Sequence, residues 1–207
     1  MIALRRLVAP LCLILSAAGC AAPAGNAPGV SPAAAPTSSA ARGPAVAVAV
    51  GNAGFEDPGE GPPRRNCPPK WWCTMHADPT SFKFASVPDG PSGRHLRVER
   101  VKNEPWALVT QVIPSKGLEG RTLRVSADVA TRAMKDGDGA GPVVRLYVPG
   151  GRVSAAEKTL RAPGAGWGRV VVEIKVPKGI ELVEIGLVMY GDGVADFDNI
   201  AVEHVSG

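Results

Sequence analysis

Few residues in this sequence have the types and spacing that chemistry needs. The histidines His76, His95 and His204 stand far apart, without the short intervals that gather imidazoles around one metal ion. Each is expected to be an ordinary surface or strand histidine. There is no Gly-x-Ser-x-Gly elbow, and no recognisable motif supplies a nucleophile with an oriented base or a working pair of carboxylates. The expectation is a chain that is not an enzyme. Asp136-Gly137-Asp138-Gly139 opens like a calcium loop but lacks the later acidic ligands and the closing glutamate, so it reads as a hairpin loop. Gly164-Ala165-Gly166 precedes no helix whose N-terminus could hold a phosphate, and it reads as a turn.

The cysteines divide by position. Arg5 and Arg6 precede an apolar run, Leu7 to Leu15, and the small residues Ser16 to Gly19 lead to Cys20. Charged, apolar, small is the order of an export signal, and the apolar run is shorter than the roughly 20 residues a bilayer span requires. The run ending in Gly-Cys resembles the bacterial lipobox, with Ala17 where leucine is usual. That resemblance implies residues 1–20 as a lipoprotein signal peptide, with Cys20 the lipidated (palmitate-bearing) first residue of the mature chain and its link to the membrane. Ala21 lacks the aspartate that retains such proteins at the inner membrane, so a cell-envelope location at the outer membrane is favoured. The other reading is an ordinary signal cut between Ala21 and Ala24, releasing a soluble secreted protein. With Cys12 removed and Cys20 lipidated, Cys67 and Cys73 remain, and export permits a disulfide between them. A metal site is the rival reading, although two thiols without further ligands suit zinc poorly.

Losing Arg5 and Arg6 leaves 21 basic residues against 19 acidic ones, a formal charge of +2. The basic residues are scattered rather than gathered on one face, so nucleic acid is not an expected partner. Residues 21–45 are almost wholly Ala, Pro, Gly and Ser, a composition that cannot bury enough apolar surface to offset ordering entropy, and they read as an extended tether. Residues 46–207 suffice for one domain, expected to be monomeric.

What must position any site in that domain is a set of strands. Apolar residues alternate at period two through Leu96 and Val98, Leu123 to Val129, Val144 to Val148, Val170 to Val176, Val183 to Met189, and Ile200 and Val202. Turn clusters separate them, including Pro88 to Gly93, Lys135 to Gly141 and Gly191-Asp192-Gly193. This pattern predicts an all-β, antiparallel β-sandwich. Gln111, Arg124, Asp128, Arg145 and Tyr147 stand at positions opposite in parity to the apolar set, so they are expected to face outward and, if their strands are neighbours, to form one ligand-binding patch. Trp106, at the start of the strand leading to Gln111, either lines its rim or closes the core. The plainer account makes this patch a solvated sheet face with cross-strand charge pairs.

Gly51-Asn52-Ala53-Gly54-Phe55-Glu56, Pro69-Lys70-Trp71, Gly93 to Val98, Gln111-Val112 before Leu118 to Ser126, Trp167, and Phe197-Asp198-Asn199-Ile200 follow one another in order. In that order they resemble the carbohydrate-binding jelly rolls of the galactose-binding-like fold. The resemblance implies a jelly roll with Phe55, Trp71 and Trp167 at core positions. It also implies one structural calcium on Glu56 and Asp198, with Asn199 where the family often has a second aspartate. The alternative is that the two carboxylates cap strand ends or pair with arginines. Fold does not fix function. Two functions stand side by side: a tethered lipoprotein that binds a glycan such as cell-wall polysaccharide, and a structural or protein-interaction envelope lipoprotein with no sugar site. Aromatics are scarce at 5% of the chain, which leaves Trp72, Trp106, Tyr147 and Tyr190 as the residues on which sugars could stack. Two or more of them clustered on one face with Gln or Arg would favour binding.

Overall fold

The protein is described by a computed structural model covering residues 44–58, 67–160, 164 and 166–205. The signal segment, Cys20 and nearly all of the tether lie outside the described residues. The described residues form eleven strands: β1 (Val46–Val48), β2 (Trp72–Met75), β3 (Phe82–Val87), β4 (His95–Arg100), β5 (Trp106–Ile113), β6 (Thr122–Arg132), β7 (Gly139–Val148), β8 (Gly151–Glu157), β9 (Gly168–Lys175), β10 (Leu182–Tyr190) and β11 (Val194–Val205). They form two antiparallel sheets, one ordered β3-β4-β11-β6-β9 with β1 also on β11, the other β2-β5-β10-β7-β8. The chain crosses repeatedly from one sheet to the other. This is the expected all-β antiparallel sandwich, jelly-roll-like, with no helix among the described residues.

The alternating apolar residues make the core. Leu96, Leu123, Val125, Ala127, Val129, Val144, Leu146, Val183, Ile185 and Phe197 are all within 1% of full burial and belong to one cluster between the sheets. Fully burying each larger side chain contributes on the order of 2 kcal/mol. Phe55 is also fully buried, and its ring packs against Trp71 with centroids 5.5 Å apart, so these two aromatics are core as the resemblance implied.

β11 changes partners along its length, and this places two carboxylates. Val194 to Phe197 pair with β4 on one side, whereas Val202 to His204 pair with β1. Between them the pairing to β6 slips from Asp198 to Ala201, and Asn199 takes a left-handed conformation at φ 50°. Asn tolerates that region better than most residues. The slip turns Asp198 into the fold, where it is completely buried.

Candidate functional site

The two outward sheet faces have different chemistry. On the six-stranded sheet the face is a lattice of ion pairs. Arg124 Nη2 meets Glu173 at 2.8 Å, and Arg169 Nη1 meets Asp128 at 3.1 Å. Asn199 Nδ2 also donates to Asp128 at 2.9 Å. Near its centre Asp196, itself buried, accepts from Arg97 Nε at 2.7 Å and from Arg132 Nη2 at 3.0 Å. His95 is buried beside it, with Nε2 3.3 Å from Asp196 Oδ1 but without the alignment of a hydrogen bond. Burial holds the His95 imidazole below its usual range, although Asp196 pulls the other way. Trp167 covers His95 edge to face at 5.2 Å and is 39% exposed. It therefore shields this outer face instead of filling the core, which corrects its expected position. Trp167 stands just before β9, and no periodicity marks its destination.

The five-stranded sheet turns an aromatic face outward. β5 is apolar on both sides: Ala107, Val109 and Ile113 join the main core, while Leu108 joins Val143 and Val188 in a second cluster flanked by Trp106 and Tyr190. Register shows these to be one surface. Trp106 lies opposite Tyr190, Leu108 opposite Val188, and Val112 opposite Glu184. On the next strand, Arg145 lies opposite Glu184. At the sheet edge Trp72 lies opposite Thr110 and is 70% exposed. It shares a cleft of about 420 Å³ with Lys70, Trp71, Thr110, Gln111, Val112 and Glu184. Polar groups accompany each aromatic. Tyr147 Oη donates to Glu184 Oε2 at 3.1 Å, and Arg145 Nη1 lies 3.4 Å from the same oxygen. Burial first, and then the Glu184 carboxylate, push the Tyr147 hydroxyl up from its usual range. Tyr190 Oη donates to Glu157 at 2.7 Å. His76 meets Trp106 edge-on at 6.0 Å, with its Nδ1 3.0 Å from Glu104 Oε2.

The residues expected to share one patch are thus divided. Trp106, Arg145 and Tyr147 lie together on the aromatic face, whereas Arg124 and Asp128 lie on the ion-pair face of the other sheet. Parity along a strand fixes in or out, but not which sheet the strand joins. Gln111 shares the parity of Val109 and Ile113 and does not face outward with the others. It accepts from Gly51 N at 2.8 Å and donates to Lys70 O at 2.8 Å, clamping two loops to β5. Because Leu108 and Val112 are as apolar as Val109, the alternation in β5 carried no readable phase. Trp72 and Tyr190, expected as stacking residues from their aromatic type alone, belong to this face, together with Glu157 and Glu184, which no sequence signal marked.

The Cys67–Cys73 disulfide is formed, with Cα atoms 5.6 Å apart. It brackets Trp71, which turns into the core and donates from Nε1 to Asn52 O at 3.1 Å, and Trp72, which turns out. The bridge closes the loop from which the exposed indole projects.

Glu56 and Asp198 converge near Gly54, where a Cβ would lie 3.6 Å from Asp198 Oδ1 and 3.8 Å from Glu56 Oε1. Both carboxylates accept main-chain N–H groups of the loop joining β3 to β4: Glu56 from Arg94 at 3.1 Å, Asp198 from Ser92 at 3.2 Å. Among the described residues no group of three or more His, Cys, Asp or Glu side chains is spaced to hold a metal. The donors here are oxygens alone.

No protein-family model and no curated protein matches the sequence. Solved structures do. The Stig cyclase Fisc from Fischerella sp. TAU superposes with a TM-score of 0.58 and 16% identity over 78% of this chain and 98% of that one. The enzymatically active domain of bacteriophage CBA120 tailspike protein 4 superposes at 0.57 and 14% identity, over 75% of this chain and 21% of that one. A family 16 carbohydrate-binding module aligns at 0.45 and 17% identity, over 59% of this chain and 86% of that one. At these identities the likeness to the first two is one of fold.

Proposed function

We propose that this chain is a non-catalytic envelope lipoprotein that binds carbohydrate on the outward face of its five-stranded sheet. The observation that carries the reading is the convergence of Trp72, Trp106, Tyr147 and Tyr190 on that face with Arg145, Glu157 and Glu184. Sugars require flat apolar surfaces for their C–H faces and planar polar groups for their hydroxyls, and this face has both. Thr110, opposite Trp72, is four residues along β5 from Trp106, so the two indoles are staggered by about 14 Å in the strand direction. An oligosaccharide spans that distance and a monosaccharide does not.

The experiment is a glycan array, peptidoglycan fragments included, probed with the full chain in detergent. The glycan it identifies is expected to lose about tenfold or more in affinity when Trp72 becomes Ala, since one aromatic stacking contact contributes about 0.5–1.5 kcal/mol beyond the area it buries. Melting should not change, because Trp72 is 70% exposed. Wild-type affinity in Trp72→Ala, Trp106→Ala and Tyr147→Ala alike refutes this face as the site. A clean array, with a captured envelope protein instead, favours the structural or protein-interaction role.

Two further parts of the reading have their own tests. Lipidation at Cys20 makes membrane retention depend on that residue, so a Cys20→Ser chain should move to the soluble fraction. Continued retention removes the anchor. The galactose-binding-like kinship and its calcium rest on Glu56 and Asp198, which with main-chain carbonyls suit a hard cation and not zinc. Calcium there would tie the start of the domain to β11. Chelation is expected to lower the melting temperature by several degrees; an unchanged midpoint with no metal in the purified protein shows the two carboxylates to be caps alone.

A further inference from the structure

Resting on the carbohydrate reading, the charge pattern of the same face points to a narrower ligand class: we propose that it takes glycans bearing free amines, of the de-N-acetylated amino-sugar kind, in preference to uronates. Three carboxylates attend the aromatics of this face. Glu104 holds His76 beside Trp106, Glu157 accepts from Tyr190, and Glu184 shares the cleft with Trp72. An ammonium group satisfies a carboxylate by a charge-assisted hydrogen bond and is attracted to the π face of an indole or phenol. A uronate carboxylate is repelled by the first and gains nothing from the second.

Glu184 is the best placed of the three. Its side chain is 19% exposed, and one oxygen, Oε2, serves both Tyr147 and Arg145. Oε1 has no hydrogen-bond partner among the described residues, so the group retains acceptor capacity while lining the 420 Å³ cleft with Trp72 and the 58%-exposed Val112. A partly desolvated carboxylate with an unused oxygen is stabilised more by a cationic donor than by a neutral hydroxyl. Among the described residues the cations nearest this cleft are Arg145, already turned to Glu184, and Lys70, which lines the cleft itself. The other outer face is unlike this one: there Arg97, Arg124, Arg132 and Arg169 are paired with carboxylates and no exposed aromatic but Trp167 accompanies them. Net charge does not produce the preference either, because the whole chain is formally positive and repels amines at long range.

The test titrates the full chain in detergent, at mildly acidic pH and fixed salt, with three hexasaccharides of one length: glucosamine, N-acetylglucosamine and galacturonate. The glucosamine hexamer is expected to bind about tenfold tighter than the N-acetylated one and galacturonate weakest, as one charge-assisted bond to a shielded carboxylate implies. In Glu184→Gln that preference should shrink to about threefold or less while melting is retained; Glu157→Gln, at an exposed position, serves if the first variant is unstable. Equal binding of the amine and N-acetyl hexamers, or tighter binding of galacturonate, overturns the amine preference and leaves the carbohydrate reading standing. Failure of all three hexamers together with a clean glycan array overturns both. A preference for glucosamine that survives both glutamine variants undiminished also overturns it, since the selectivity would then come from elsewhere on the surface.

Discussion

Arg97→Met is expected to destabilise the fold by about 3 kcal/mol, a large effect for a side chain on an outward sheet face. Asp196 is 4% exposed and has Arg97 and Arg132 as its ion-pair partners, with His95 beside it. Methionine keeps most of the arginine stem's packing on β4 but removes the guanidinium, whose Nε and Nη2 bond both Asp196 oxygens. Arg132 is half exposed and cannot by itself compensate a carboxylate held away from water. His95 cannot take over readily, since burial disfavours its charged form. A buried charge stripped of one partner costs far more than the pair contributes when whole. Adding Asp196→Leu to Arg97→Met should therefore restore at least half of the lost stability, because Arg132 can turn to solvent. Urea unfolding of the two variants decides the matter. A loss below about 1 kcal/mol in the single variant, or no recovery in the double, shows the cluster to be solvated and energetically minor.

Phe197→Ala should cost about 3–5 kcal/mol. Phe197 is 1% exposed and lies in the central strand β11, opposite Leu96 of β4 on one side and Val129 of β6 on the other. All three belong to the same core cluster, so the ring is enclosed by strands that cannot collapse into the space without breaking their ladder. Phe197 also sits next to Asp198, where the pairing slips and the loop joining β3 to β4 is fastened by Ser92. The variant should accordingly melt in one transition at a lower midpoint, read by calorimetry against the wild type. A loss under 1 kcal/mol would mean that the site closes over the cavity.

Other parts of the molecule divide cleanly between what one strand encodes and what several strands decide. Leu123, Val125, Ala127 and Val129 announced β6 by alternation alone, and all four are in the core. A half-buried strand needs only two faces, and period two records them. The cysteine pair was legible for a different reason: a short loop joins the two thiols, an expected export of the chain would permit their oxidation, and the bridge is present. β5 was legible as a strand yet its phase was not, because Leu108 and Val112 are as apolar as Val109 and Ile113, and Gln111 reads as outward until its bonds to Gly51 and Lys70 are seen.

The sequence by itself determined that this domain is an antiparallel sandwich, which residues of its cleanly alternating strands line the core, and which side chains are aromatic enough to stack on a ligand. These are properties of one strand and its immediate neighbours, written in polarity and period. Only the tertiary structure decided the site. Arg124 and Arg145 look alike in sequence, each alternating with buried aliphatics, yet one joins β6 in the ion-pair lattice and the other joins β7 beside Tyr147 and Glu184. Trp167 and Trp72 both follow turn segments, but one roofs a buried histidine and the other stands 70% exposed over a cleft. Which sheet a strand enters depends on loop closures and on the partners of β10 and β11, contacts between residues far apart in the chain, and polarity along any one strand holds no record of them.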